Sequence, residues 1–75
     1  MPTRPEQINE EKMQRAVALH QGGHLAQARS LYEEILQAQP THFNATFFLG
    51  LSCAQQNDLV LAAKCFEKAA EINPN

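Results

Sequence analysis

No apolar run in the chain approaches the roughly 18 residues that a membrane span needs, and the segment from Met1 to Lys12, with Pro2, Pro5 and several charges, has no apolar stretch to open a secretion signal. Neither a membrane span nor a secretory leader is expected, and a cytoplasmic location is. An excess of one charge is also missing. Six Lys and Arg are scattered among eight Asp and Glu, a formal net charge of −2, so no basic stripe is available to neutralise phosphates and nucleic acid is not an expected partner. Two cysteines, Cys53 and Cys65, are too few for a disulfide framework and read as small, reduced core residues. His20 and His24 are four residues apart, but Gly22-Gly23 breaks any helix between them and no carboxylate or thiol completes a metal set. The sequence also lacks a Ser, His and Asp constellation, a phosphate-cradling glycine loop and a pair of carboxylates isolated among apolar residues. Catalysis and a bound cofactor are therefore not expected of this chain by itself.

What the chain does have is a match to itself. At an offset of 34 residues, Gln21/Gln55, Leu25/Leu59, Ala28/Ala62, Glu33/Glu67 and Pro40/Pro74 are identical, and Ala16/Gly50, Gly23/Asn57 and Tyr32/Phe66 are near equivalents. That period is the length of a helix-turn-helix unit that stacks into a solenoid. Seventy-five residues allow one domain with a thin core, since a chain this short buries only about 60% of its unfolded surface. Period and punctuation predict four helices. The first spans Gln7 to Gln21 and stops at Gly22-Gly23, where a positive φ is cheap. The second starts near Leu25, carries Ala28, Leu31, Tyr32, Ile35 and Leu36 on one face, and is ended by Pro40. Thr41 is the expected cap of a third helix over His42 to Gln56, with His42 a solvated residue of its first turn. Asn57-Asp58 makes the next turn, Asp58 caps the fourth helix, and that helix runs to about Asn73.

The residues of the two copies resemble the tetratricopeptide pattern, in which W-x2-L-G-x2-Y is followed by A-x3-F and Pro. Leu49, Gly50, Ala62, Phe66 and Pro74 fall on it in the second copy, with Thr46 in place of Trp and Cys53 in place of Tyr. In the first copy Ala28 and Pro40 match outright and Ala16, Leu19 and Tyr32 match in kind, whereas Lys12 and Arg15 stand where Trp and Leu belong. Charge there suits an outermost helix whose far face meets solvent. The resemblance implies an all-α fold of two helix-turn-helix hairpins, four antiparallel helices in a short right-handed α-solenoid. It implies a single domain over 1–75, with repeats at about 9–42 and 43–75 behind a flexible segment 1–6.

In such a family the concave surface binds partners and is lined mainly by the first helix of each repeat. Carried over by position, it comprises Glu10, Met13, Gln14, Val17 and Gln21 in copy one and Asn44, Phe47, Phe48, Leu51 and Gln55 in copy two. Tetratricopeptide domains that grip the acidic tails of heat-shock chaperones place Lys, Arg and Asn at such positions. Met13, Val17 and Phe48 stand there instead, which points to an apolar or amphipathic protein segment laid along the groove. One or more of the phenylalanines could equally fill the core, although Phe43, Phe47 and Phe48 cannot all be buried in one short helix pair.

Helix four is apolar on more than one stripe, so it expects neighbours on two sides. Its outer positions Val60, Leu61, Lys64, Cys65 and Ile72 are the expected face for self-association into a homo-oligomer, or for contact with further repeats of a longer array. The segment from Leu19 to Leu25, followed by Ala28, Leu31-Tyr32, Ile35-Leu36 and Pro40, also resembles repeats that precede bacterial glycosyltransferase or sulfotransferase domains. An alternative role is therefore the substrate-recruiting or dimerising front of a larger enzyme.

Ala16 and Gly50 are expected opposite Ala28 and Ala62, where small side chains let paired helices approach closely. Ala62→Leu should overpack that crossing and lower stability by about 1–3 kcal/mol; an unchanged thermal melt would contradict the hairpin register.

Overall fold

A computed structural model of the chain describes residues 5–74, with side-chain environments from Asn9 onward. It contains α1 (Pro5–Gln21), α2 (Leu25–Ala38), α3 (Phe43–Gln55) and α4 (Leu59–Ile72), and no strand among the described residues. The all-α fold of two helical hairpins is as the sequence predicts. Helix α1 begins inside the segment 1–6 that precedes the first repeat. Pro5 and Glu6 belong to α1, since proline at the first helical position needs no amide partner there, and residues 1–4 lie outside the described residues.

The two hairpin turns are built alike, bond by bond. His24 N donates to Leu19 O and Asp58 N to Cys53 O, both at 2.8 Å; one residue earlier, Gly23 N donates to His20 O at 3.1 Å and Asn57 N to Ala54 O at 3.0 Å. This pair of bonds closes a helix on a residue in the left-handed region. Gly23 has φ 85 and Asn57 has φ 64, which is why Gly and Asn, the residues that tolerate that region, stand at equivalent positions. At the far end of each unit, Gln39 and Asn73 are extended, with φ −134 and −140. Each precedes a proline that forces it out of the helical region.

The helix starts are less alike. Asp58 accepts from Leu61 N at 3.4 Å, the cap expected for α4. The expected cap Thr41 is corrected: His42 holds that position, its Nδ1 accepting from Ala45 N at 3.0 Å. An imidazole nitrogen is an acceptor like a carboxylate oxygen, so a half-buried His42 takes the role instead of standing in solvent. Thr46, which replaces the motif's Trp, is fully packed and satisfies its hydroxyl on His42 O at 2.9 Å.

Packing runs in series: α1 on α2, α2 on α3, α3 on α4, with only a slight contact of α1 with α3. The molecule is 19 Å thick in its shortest direction, about two helix diameters, so the core is one interface deep. It consists largely of small residues, Ala16, Ala28, Ala62, Cys53 and Cys65, around Leu49 and Tyr32. Asn9 ties the start of α1 to the end of α2, its Nδ2 donating to Gln39 Oε1 at 2.6 Å.

Helix α4 approaches α3 closely at Gly50. A Cβ there would lie 2.8 Å from Phe66 Cε1 and 3.1 Å from Cys65 Cβ. The phenylalanine ring can shift, but a Cβ is fixed to its backbone. In an exposed helix interior Gly→Ala stabilises by roughly 1 kcal/mol. Gly50→Ala should instead destabilise by about 1 kcal/mol, because overpacking of ~1–3 kcal/mol outweighs the helix gain. Urea denaturation reads the sign, and a rise in midpoint would contradict this close approach.

Candidate functional site

Helices α1 and α3 lie on the same side of the molecule and leave between them an open groove of about 400 Å³ lined by Met13, Gln14, Val17, Ala18, Gln21, Asn44 and Phe48. Helical periodicity explains the α1 wall, because the pairs 14/17 and 18/21 are three residues apart and 14/18 and 17/21 four, which puts them on one face. Six of the ten residues expected on the concave face are brought together here. Ala18, which the sequence reading passed over, completes the wall; its spacing to Gln14 and Gln21 was the available signal. Phe47, Leu51, Gln55 and the exposed Glu10 do not line the groove. Phe47 is 38% exposed and turns toward Phe43 and Phe66, with ring centroids 6.0 and 5.7 Å away. Leu51 is half-buried and Gln55 exposed.

The groove wall is stiffened from behind. Phe48 stacks on the buried Tyr32 at 6.1 Å and meets the edge of His20 at 6.3 Å. His20 Nδ1 lies 3.1 Å from Ser52 Oγ and 3.4 Å from the Tyr32 hydroxyl. With the ring proton on Nε2, the single lone pair of Nδ1 is shared by the two hydroxyls, Ser52 making the shorter contact and Tyr32 the longer. Through Phe47, at 5.9 Å from Phe48, all four phenylalanines and the one tyrosine join one series of ring contacts. Periodicity along one helix could not reveal this network, because His20, Tyr32 and Ser52 come from three different helices.

The groove carries apolar side chains, the carboxamides of Gln14, Gln21 and Asn44, and no formal charge. An ion pair lies outside the groove lining: Arg29 is 3.8 Å from Asp58 and donates to Gln56 Oε1 at 2.6 Å, bracing α2 against the α3–α4 turn. Among the described residues no group of three His, Cys, Asp or Glu could hold a metal ion, and no helix is long and apolar enough to cross a membrane.

The outer face expected on α4 needs correction. Val60 is 71% exposed and Lys64 is exposed, but Cys65 is only 7% exposed and belongs to the core; Leu61 packs against that core and Ile72 is half-buried. Helical phase accounts for this, since 61, 65 and 72 share the side of α4 that turns toward α3. Cys53 and Cys65 are free and buried. Burial raises both thiols above their ordinary 9.0, and it raises the Tyr32 hydroxyl above its ordinary 10.0.

Residues 13–75 match the family model described as the tetratricopeptide repeat. No curated protein and no solved structure matches the chain.

A raised folded value means that the native state holds these thiol protons more tightly than the unfolded chain does. Their contribution to stability is complete below about pH 9 and is lost as pH rises through the folded values. Urea midpoints should be level on approach to that range and fall above it, and the fall should be smaller in the double variant Cys53→Ala, Cys65→Ala. Ellman's reagent should label the native thiols at least about tenfold more slowly than the urea-unfolded ones.

Proposed function

The chain belongs to the tetratricopeptide repeat family, whose repeats mediate protein–protein interaction, and from that premise we infer that its α1/α3 groove binds an apolar or amphipathic segment of a protein partner. One observation carries the reading: the groove is lined by Met13, Val17, Ala18 and Phe48 together with the carboxamides of Gln14, Gln21 and Asn44, and by no charged side chain. Apolar walls favour side chains that gain by leaving water. The carboxamides of Gln14, Gln21 and Asn44 supply donors and acceptors that orient a ligand without requiring charge on it. An acidic tail would bring carboxylates into a site that offers no cation to compensate their lost hydration. In this reading the repeats at about 9–42 and 43–75 contribute one wall each, Phe47, Leu51 and Gln55 extend the surface beyond the groove, and the chain also self-associates through α4.

A phage-displayed random peptide library selected on the full chain supplies the probe. Selected peptides should be rich in apolar residues, and their affinity should change little with salt, since no formal charge lines the groove. Val17→Glu should weaken them about tenfold or more while leaving the circular dichroism spectrum unchanged. Selection of acidic peptides whose binding collapses with salt would contradict the reading.

A further inference from the structure

The offset of 34 pairs each residue of α4 with one of α2, and along one stripe the members of each pair differ in the same direction. In α2, Leu25, Arg29 and Leu36 are half-buried and Tyr32 is buried; in α4 their counterparts Leu59, Ala63 and Ala70 are exposed and Phe66 is half-buried. The α2 stripe is covered: Arg29 donates to Gln56 just past the end of α3, and Tyr32 stacks on Phe48 within it. The α4 helix packs on α3 alone among the described helices, with the inner edge of Phe66 against Gly50, so no other described helix covers its stripe. Leu59, Ala63, Phe66 and Ala70 follow one another at steps of four, three and four, the spacing at which a helix presents a continuous seam to another helix. The seam carries no charge, because Ala63 stands where α2 has Arg29.

The order of sizes along the seam indicates what fits it. From start to end it reads large, small, large, small; read backwards, it alternates in the opposite phase. An antiparallel second α4 related by a two-fold axis therefore sets Leu59 against Ala70 of the partner subunit and Ala63 against Phe66 of the partner subunit. Symmetry repeats both contacts, and every large side chain meets a small one, which is the self-complementarity an isologous interface requires. A parallel pairing in register would set Phe66 against itself and leave a gap at the alanines. Head-to-tail stacking of α1 on the seam is opposed by charge. Ala45, Leu49 and Ser52 are buried in α3, but their counterparts in α1 are the exposed Glu11, Arg15 and Ala18, and burying Glu11 and Arg15 without partners is costly.

We propose that the Leu59–Ala63–Phe66–Ala70 seam binds a second copy of this chain, α4 against α4, antiparallel about a two-fold axis. The proposal rests on the self-association half of the functional reading and gives it a surface separate from the groove. Sedimentation velocity of the full chain from low to high micromolar concentration should show a concentration-dependent dimer. Ala63→Arg places at this exposed position the residue that α2 carries there, so it should give a monomer whose thermal melt does not vary with concentration and equals that of the wild type at concentrations too low for the dimer. Orientation is read by cross-linking under oxidised glutathione. Leu59→Cys mixed with Ala70→Cys should form an intermolecular disulfide, and Leu59→Cys by itself should not, because two copies of position 59 would lie about 16 Å apart, well beyond disulfide reach. The wild-type chain, whose two cysteines are buried, is the control. A dimer that survives Ala63→Arg overturns the seam while leaving self-association standing, and self-linking of Leu59→Cys overturns the antiparallel arrangement. A monomer at every concentration overturns both, and the peptide titrations judge the groove independently of all three outcomes.

Discussion

The structure depends most on how Tyr32 is held. It is the largest fully buried side chain, it comes from the helix that joins the two hairpins, and it contacts both of them. Its ring stacks on Phe48 of α3 and its hydroxyl lies near His20 of α1, which is itself beside Ser52 of α3. Elsewhere the core is mostly alanine and cysteine around Leu49, the small residues each contributing little apolar area. A tyrosine can fill this junction because its polar end has a partner; without one, burying the hydroxyl would cost about 1–3 kcal/mol. Phe48 is thereby fixed as a wall of the groove, so the contact that joins the hairpins also shapes the surface offered to a ligand.

The two repeats share a backbone and differ in chemistry. Their turns and helix ends match because the same bonds close them and Gly23, Asn57, Pro40 and Pro74 occupy equivalent places. Side chains then separate the copies. Arg29 of α2 is spent on Asp58 and Gln56, whereas Ala63 of α4 has no such role to fill. Lys12 and Arg15 suit α1 to a solvent-facing position, and Leu59 and Val60 leave α4 with apolar groups in water. A repeat protein buries its core by stacking neighbours, so these differences identify the face of each unit that has a neighbour and the face that lacks one.

Much of this was legible in advance, and the exceptions have physical causes. Helix ends were readable wherever glycine or proline restricts the backbone. The start of α3 was not, since propensity favours Thr41 as a cap while the actual acceptor is an imidazole whose direction depends on the packed helix. The family resemblance puts Met13, Gln14, Val17, Gln21, Asn44 and Phe48 on the concave surface and they line the groove, whereas Phe47 turns toward the rings of Phe43 and Phe66. Cys65 was assigned to an outer surface although its helical phase turns it toward Gly50.

By itself the sequence determined the period, the four helices, their turns and the family, because these follow from local backbone preferences and from apolar spacing along single helices. Only the tertiary structure decided which aromatic groups meet, that His20 serves two buried hydroxyls, that Phe48 faces the groove, and which stripe of α4 stays uncovered. Each of those depends on the relative rotation and approach of separate helices. Periodicity restricts that geometry, but the packing of Tyr32, Gly50 and their neighbours decides it.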